Sequence, residues 1–142
     1  YAIIAEPTMN KRYKAEIERM KLYPNMLGQV ALNTAYTQCD QWLGDLLETI
    51  QRNRELVINF FKDNDLGIKA VRGHATYLLW LDFRDMKIDP SEIEKRLLKE
   101  AKVALNRGNE FRGEGFFRMN LATNTENVEE ALQRIKRTFS CH

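Results

Sequence analysis

The run Thr76-Tyr77-Leu78-Leu79-Trp80-Leu81-Asp82-Phe83, followed after a short gap by Asp89-Pro90-Ser91-Glu92, decides the fold. The first stretch is apolar and β-rich and predicts a central strand. The second is a helix start. Asp89 can cap, Pro90 suits the first turn, and Glu92 can reach back as in a capping box. The helix it opens carries Ile93, Leu97 and Leu98 inward and ends near Ala101. On the N-terminal side, Leu66 to Val71 alternates like a half-buried strand. On the C-terminal side, Val103-Ala104-Leu105 reads as a short strand, Asn106 to Gly115 as a polar, glycine-bearing loop, and Phe116 to Ala122 as another strand. Thr125 to about Phe139 is a terminal helix with Val128, Leu132 and Ile135 on one face. The order β-β-α-β-β-α predicts an α+β fold with helices packed on one face of a sheet.

The N-terminal part reads differently. Tyr1 to Ala5 looks like a short buried strand, broken by Glu6-Pro7-Thr8. Residues 8–21 form a helix with Tyr13, Ile17 and Met20 on one face. From Met26 to about Asp63 there is no proline, and Cys39, Leu43, Leu46, Ile50, Val57 and Phe61 approximate one stripe, widened by Trp42, Leu47 and Phe60. That predicts one long helix, or two helices bent near Gly44. About 37 helical residues span about 55 Å, whereas a compact domain of this length is only about 37 Å across. A straight helix would overhang. Together with a start at Tyr1 in an apolar segment, this points to a piece of a longer protein.

The composition is that of a soluble globular chain. Of 142 residues 44% are hydrophobic and 30% charged, and the net charge is +2. No apolar run reaches the roughly 18 residues of a membrane span, and the apolar segment at Tyr1 to Ala5, with no basic n-region and no small-residue cleavage site, does not read as a signal peptide. Basic residues are spread among acids, which argues against a nucleic-acid partner. Cys39 and Cys141 lie far apart and fit no metal spacing, and with only His74 and His142 no metal site is expected. A reducing compartment is the default.

One residue stands out for its chemistry. In Phe116 to Ala122, Phe117, Met119 and Leu121 share one face and Arg118 and Asn120 the other. A guanidinium in so apolar a strand needs a partner, and its fork matches a carboxylate or phosphate. The alternatives are an ion pair with an acidic residue or exposure on an open sheet face. Arg107 and Arg112 in the preceding loop, Asn106 to Gly115, could close over an anion or belong to a solvated connector; the loop has no phosphate-loop ending. Trp42, Trp80 and the helix phenylalanines read as core, His74 as a surface turn residue, and Cys39 as a small buried residue. No catalytic Ser-His-Asp, Cys-His or paired-carboxylate arrangement is visible.

The segments ATYLLWLDFR (75–84), EAKVALNRGNEFRGEGFFRMNLA (100–122) and ENVEEALQRIKRTF (126–139) resemble the end of fold-type I, pyridoxal-phosphate-dependent class I/II aminotransferases, in particular the cystathionine β-lyase (C–S lyase) branch. YAII, PNMLGQVALNTAY (24–36) and QWLGDLLETIQRNRELV (41–57) fit the same branch, in order and without large gaps. One departure lies in the loop, where the family commonly has Phe-Gly and this chain has Phe111-Arg112.

The resemblance implies the following expectations. Residues 1–25 are a remnant of the large cofactor-binding domain, 26–63 the interdomain connecting helix, and 64–142 the small C-terminal domain. The substrate-carboxylate arginine falls on Arg118, within F-x-R-x-N-x-A (residues 116–122). The Schiff-base lysine lies upstream of Tyr1, so this chain holds no catalytic or cofactor-binding residue, carries no covalent pyridoxal phosphate and is inactive alone. The parent is a cytoplasmic homodimer acting on an amino acid, and the chain by itself is expected to self-associate through its first helices. A C–S β-lyase would release pyruvate, ammonia and a thiol; the alternatives are an aminotransferase, or a stand-alone binding module without catalysis.

Overall fold

A computed structural model describes residues 1–140. Cys141 and His142 lie outside the described residues. The chain divides into two units, Tyr1–Trp42 and Leu43–His142.

In the first unit, helix α1 (Pro7–Arg19) is capped by the Glu6 carboxylate, which accepts from the amides of Thr8 and Met9. Those two bonds favour the anion and hold Glu6 below the ordinary carboxylate range. Helix α2 (Met26–Gln38) starts at Asn25, whose side chain accepts from the Gly28 amide at 2.7 Å. The strand expected at residues 1–5 is absent. The segment forms no ladder, and Ile3 is 85% exposed. An apolar run becomes a strand only where another edge takes its backbone groups.

Helix α3 (Asp40–Asp63) follows after a single break. The break falls at Cys39, which adopts φ −110° and ψ 18°, and not near Gly44, which lies inside α3. Cys39 is half-buried at that junction, and Trp42, expected in the core, is 65% exposed. The stripe on α3 becomes core from Ile50 onward, through Val57 and Phe61.

The second unit contains a four-stranded antiparallel sheet, ordered β1-β2-β4-β3. Its strands are β1 (Lys69–Val71), β2 (Leu78–Asp82), β3 (Asn106–Arg107) and β4 (Phe116–Asn120). Leu79, Leu81, Phe117 and Met119 line one face and are buried with Ile93 and Leu97, Val128, Leu132, Ile135 and Phe139. Helix α4 (Pro90–Arg96) begins as expected, with the Asp89 carboxylate accepting from the Ser91 amide at 2.8 Å. Glu92 does not reach back; its side chain takes Lys95 instead. Helix α5 spans Thr125–Phe139.

The strand expected at residues 103–105 is displaced. A wide turn over Leu97–Ala101 ends on Lys102 in the left-handed region, and the Val103 amide donates back to the Leu97 carbonyl at 2.9 Å. That bond takes Val103 out of any ladder, so pairing with β4 begins only at Asn106. The loop read as irregular therefore contains β3 and a 3₁₀ turn, Gly108–Phe111.

Two polar residues complete the packing. Asn53 and Arg54 sit on the apolar stripe of α3, 0% and 7% exposed. The Asn53 amide donates to the carbonyls of Leu121 and Thr123, both at 2.9 Å, and Arg54 donates to the Thr76 carbonyl. Thus α3 fixes the exit of β4 and the entry of β2, at the same end of the sheet.

Candidate functional site

The sheet face turned away from the helices carries the site. Antiparallel register places Val71 opposite Trp80, Trp80 opposite Arg118, and Asn106 opposite Arg118. Directly opposed residues share a face, so these four form one row across all four strands. Arg118 is half-buried, and its side chain forms no ion pair or hydrogen bond among the described residues. Of the placements open to it, the structure shows the open sheet face, with an aromatic neighbour. Its guanidinium carbon lies 4.3 Å from the centroid of the Phe111 ring, a cation–π contact that restrains the fork and leaves its N–H groups to a ligand.

The turn after β3 brings Phe111 there. Gly108 is buried, and the Gly113 amide returns to the Gly108 carbonyl at 2.9 Å. A β-carbon on Gly108 would lie 2.0 Å from the Gly113 carbonyl oxygen. Arg112, where the family commonly has glycine, takes φ +59°. Its strain has a testable consequence: Arg112→Gly is expected to stabilise the fold by about 0.5–1 kcal/mol. Urea denaturation reads this directly, and a loss of stability would contradict the assignment of strain.

Trp80 meets Phe111 edge-to-face at 5.7 Å and Phe116 at 6.4 Å. It was expected in the core and is instead half-buried on the open face. Val71, Trp80, Phe111, Gly113 and Phe116 line a hollow of about 230 Å³. Arg84 lies over Phe116 at 4.6 Å and forms two hydrogen bonds to the Asp82 carboxylate, at 2.9 and 2.8 Å.

The Arg84 hydrogen bonds hold the Asp82 carboxyl below the ordinary carboxylate range. A depressed folded value means that the pair's stabilisation is complete above the unfolded value of about 3.9. It is lost as pH falls through the lower folded value. Asp82→Asn is expected to be less stable than wild type at neutral pH and to match it in strong acid. A melting-temperature gap that persists unchanged to pH 2 would refute this.

The remaining sequence candidates are not gathered here. Arg107 is engaged by Glu94 at 3.1 Å. His74 is exposed, as expected of a turn residue. Among the described residues no cluster of His, Cys, Asp or Glu could hold a metal, and no helix is long and apolar enough to cross a membrane. Sequence reasoning missed Phe111 as the partner of Arg118; alternation says which strand residues share a face, not which loop residue folds over them.

Three similarities bear on this arrangement. Cystathionine β-lyase PatB of Bacillus subtilis (strain 168) is 30% identical over 141 residues, covering 97% of this chain and 36% of that protein. The cystathionine β-lyase of Corynebacterium glutamicum is 36% identical over 114 residues, covering 78% of this chain and 30% of that protein. The crystal structure of cystalysin from Treponema denticola, which contains a pyridoxal 5'-phosphate cofactor, superposes with a TM-score of 0.90 at 31% identity, covering 97% of this chain and 36% of that one. The chain thus spans about a third of the length of these relatives, and its sheet and helices match the small C-terminal domain of fold-type I enzymes. The family model for aminotransferase class I and II matches residues 8–135, and the chain belongs to that family.

Proposed function

We propose that this chain is the substrate-carboxylate-binding part of a pyridoxal-phosphate-dependent C–S β-lyase, and that Arg118 holds the α-carboxylate of the amino acid. One observation carries the reading: a guanidinium without an acidic partner, held by an aromatic ring on an open sheet face beside an apolar hollow. A bidentate grip on the carboxylate fixes the substrate's orientation, so that the bond to be broken is presented in one geometry. Phe111 restrains the fork before the ligand arrives.

The cofactor supplies carbanion stabilisation when bound. Its Schiff-base lysine needs an enclosed pocket, yet every lysine among the described residues is exposed, and Lys69 and Lys95 are paired with Asp85 and Glu92. The residues present do not fit the group, and no step is derived through it. We place the cofactor lysine outside this chain, residues 1–25 with the large domain, 26–63 as the interdomain connection and 64–142 as the small domain. The cytoplasmic homodimer belongs to the same reading, as does self-association of the isolated chain through its first helices.

The complete enzyme given L-cystathionine is expected to release pyruvate. Transfer of the amino group to a 2-oxo acid without pyruvate would move the assignment to an aminotransferase, and neither activity would leave the non-catalytic binding module. The chain alone, treated with pyridoxal phosphate and borohydride, is expected to show no stoichiometric lysine adduct by mass spectrometry; one adduct at one site would overturn that placement.

A further inference from the structure

Consecutive residues of α3 hold three segments of the sheet in place. Asn53 takes the carbonyls of Leu121 and Thr123, and Arg54 that of Thr76 at the entry of β2. The Glu55 carboxylate accepts from both terminal nitrogens of Arg72, just beyond β1, each at 2.9 Å. The grip matters most for β4. Its ladder with β2 ends at the Leu78–Asn120 pair, close to Arg118. Beyond it the Leu121 amide still reaches the Tyr77 carbonyl at 2.8 Å, while the Leu121 and Thr123 carbonyls are taken by α3. The Arg118 side chain has no polar partner among the described residues, so the direction of its fork follows the β4 backbone and the Phe111 ring. Stability alone does not account for this arrangement. Asn53 Oδ1 and Arg54 Nε are buried without a hydrogen-bond partner among the described residues, and unpaired buried polar atoms are destabilising. Thr76 is β-branched yet sits at φ +62°, a region such residues enter only under constraint. Strain and unpaired polar atoms of this kind gather where a geometry is held for a function.

We propose that Asn53 is a positioning residue for Arg118: by fixing where the chain leaves β4, it aims the guanidinium at the carboxylate. Arg54 does the same for β2 and so for Trp80, which stands opposite Arg118. The proposal rests on the reading of Arg118 as the carboxylate anchor. Asn53 is fully buried beside the core residues of α3 and acts through the β4 backbone, not on the ligand. The effect can still be large, because a displacement of about 1 Å at a binding group far from the mutated residue can lower the rate about 100-fold.

The test is a double-mutant cycle in the complete enzyme, reading kcat/KM for L-cystathionine and a thermal melt of each protein. Asn53→Ala is expected to lower kcat/KM about tenfold or more. In an Arg118→Ala background the same change should have less than about a twofold effect, since a residue that acts through Arg118 then has nothing to aim. An equal loss in both backgrounds is what a merely structural residue gives; it would overturn the positioning role and keep the anchor. An Arg118→Ala enzyme as active as wild type would overturn the anchor and the proposal with it. Should Asn53→Ala melt below the assay temperature, Asn53→Ser, which keeps a shorter donor, carries the same cycle. A second readout uses the chain itself and needs no activity. The ring-current shift that Phe111 imposes on the Arg118 Nε–H signal in NMR is expected to shrink in Asn53→Ala, while the Val128 and Ile135 methyl signals of the core stay in place. An Arg118 signal that does not move would overturn the proposal, whatever becomes of the anchor.

Discussion

Arg118→Ala in the complete enzyme is expected to lower kcat/KM by about 100-fold or more. Each hydrogen bond to a charged group contributes about 1.5–3 kcal/mol, and a fork makes two. Since 1.36 kcal/mol is tenfold, the pair amounts to about two to four decades. Stability should barely change. The Arg118 side chain makes no ion pair or hydrogen bond among the described residues, and its contact with Phe111 contributes about 0.5–1 kcal/mol. Loss of activity in a variant that melts near the wild-type temperature is therefore the signature of a binding role. Arg118→Lys keeps the charge but not the planar fork, and should recover only part of the loss. Steady-state kinetics with a thermal melt decides it; unchanged kcat/KM in the alanine variant would sink the assignment.

Gly108→Ala should cost about 3 kcal/mol, the upper end for overpacking. The new β-carbon would lie 2.0 Å from the Gly113 carbonyl oxygen and 2.8 Å from that of Phe116. Both obstacles are backbone, in a turn closed by the Gly113 amide and by the Phe116 amide on the Gly113 carbonyl. No side chain can swing away; the turn itself must open. Opening moves Phe111 off Arg118, so ligand affinity should fall with stability. A shift in denaturation free energy below about 0.5 kcal/mol would show that the turn is not so constrained.

The elements with a chemical start signal were legible in the sequence. Asp89 and Pro90 announced α4, the Val128-Leu132-Ile135 periodicity gave α5 over Thr125–Phe139, and the alternation of β4 placed Arg118 opposite Phe117 and Met119. What failed depended on partners distant in sequence. Tyr1–Ala5 was apolar enough for a strand but found no ladder, and Val103 was diverted by a bond to Leu97. Trp80 has the residue type of a core position, but its parity on β2 puts it with Arg118 on the open face. That parity was readable once the β2–β4 register was known. The α3 stripe contained its own signal: Asn53 and Arg54 lie between Ile50 and Val57, polar residues in an apolar row, where a buried hydrogen-bonding duty is the economical explanation.

The strand order has a consequence for how the site comes into being. Val71 and Trp80 belong to one hairpin, and Asn106 and Arg118 to a second. They meet only when β2 pairs with β4, whose nearest partners, Asp82 and Phe116, are 116 − 82 = 34 positions apart. Closure of that loop carries an entropy cost that neither hairpin bears alone. Half of the row can form early on each side, yet neither half has both the cation and the full aromatic wall. Under the proposed reading of Arg118, recognition is thereby reserved for chains that have finished folding, and the Trp80 indole, seated at the seam, is a natural clock for the last step.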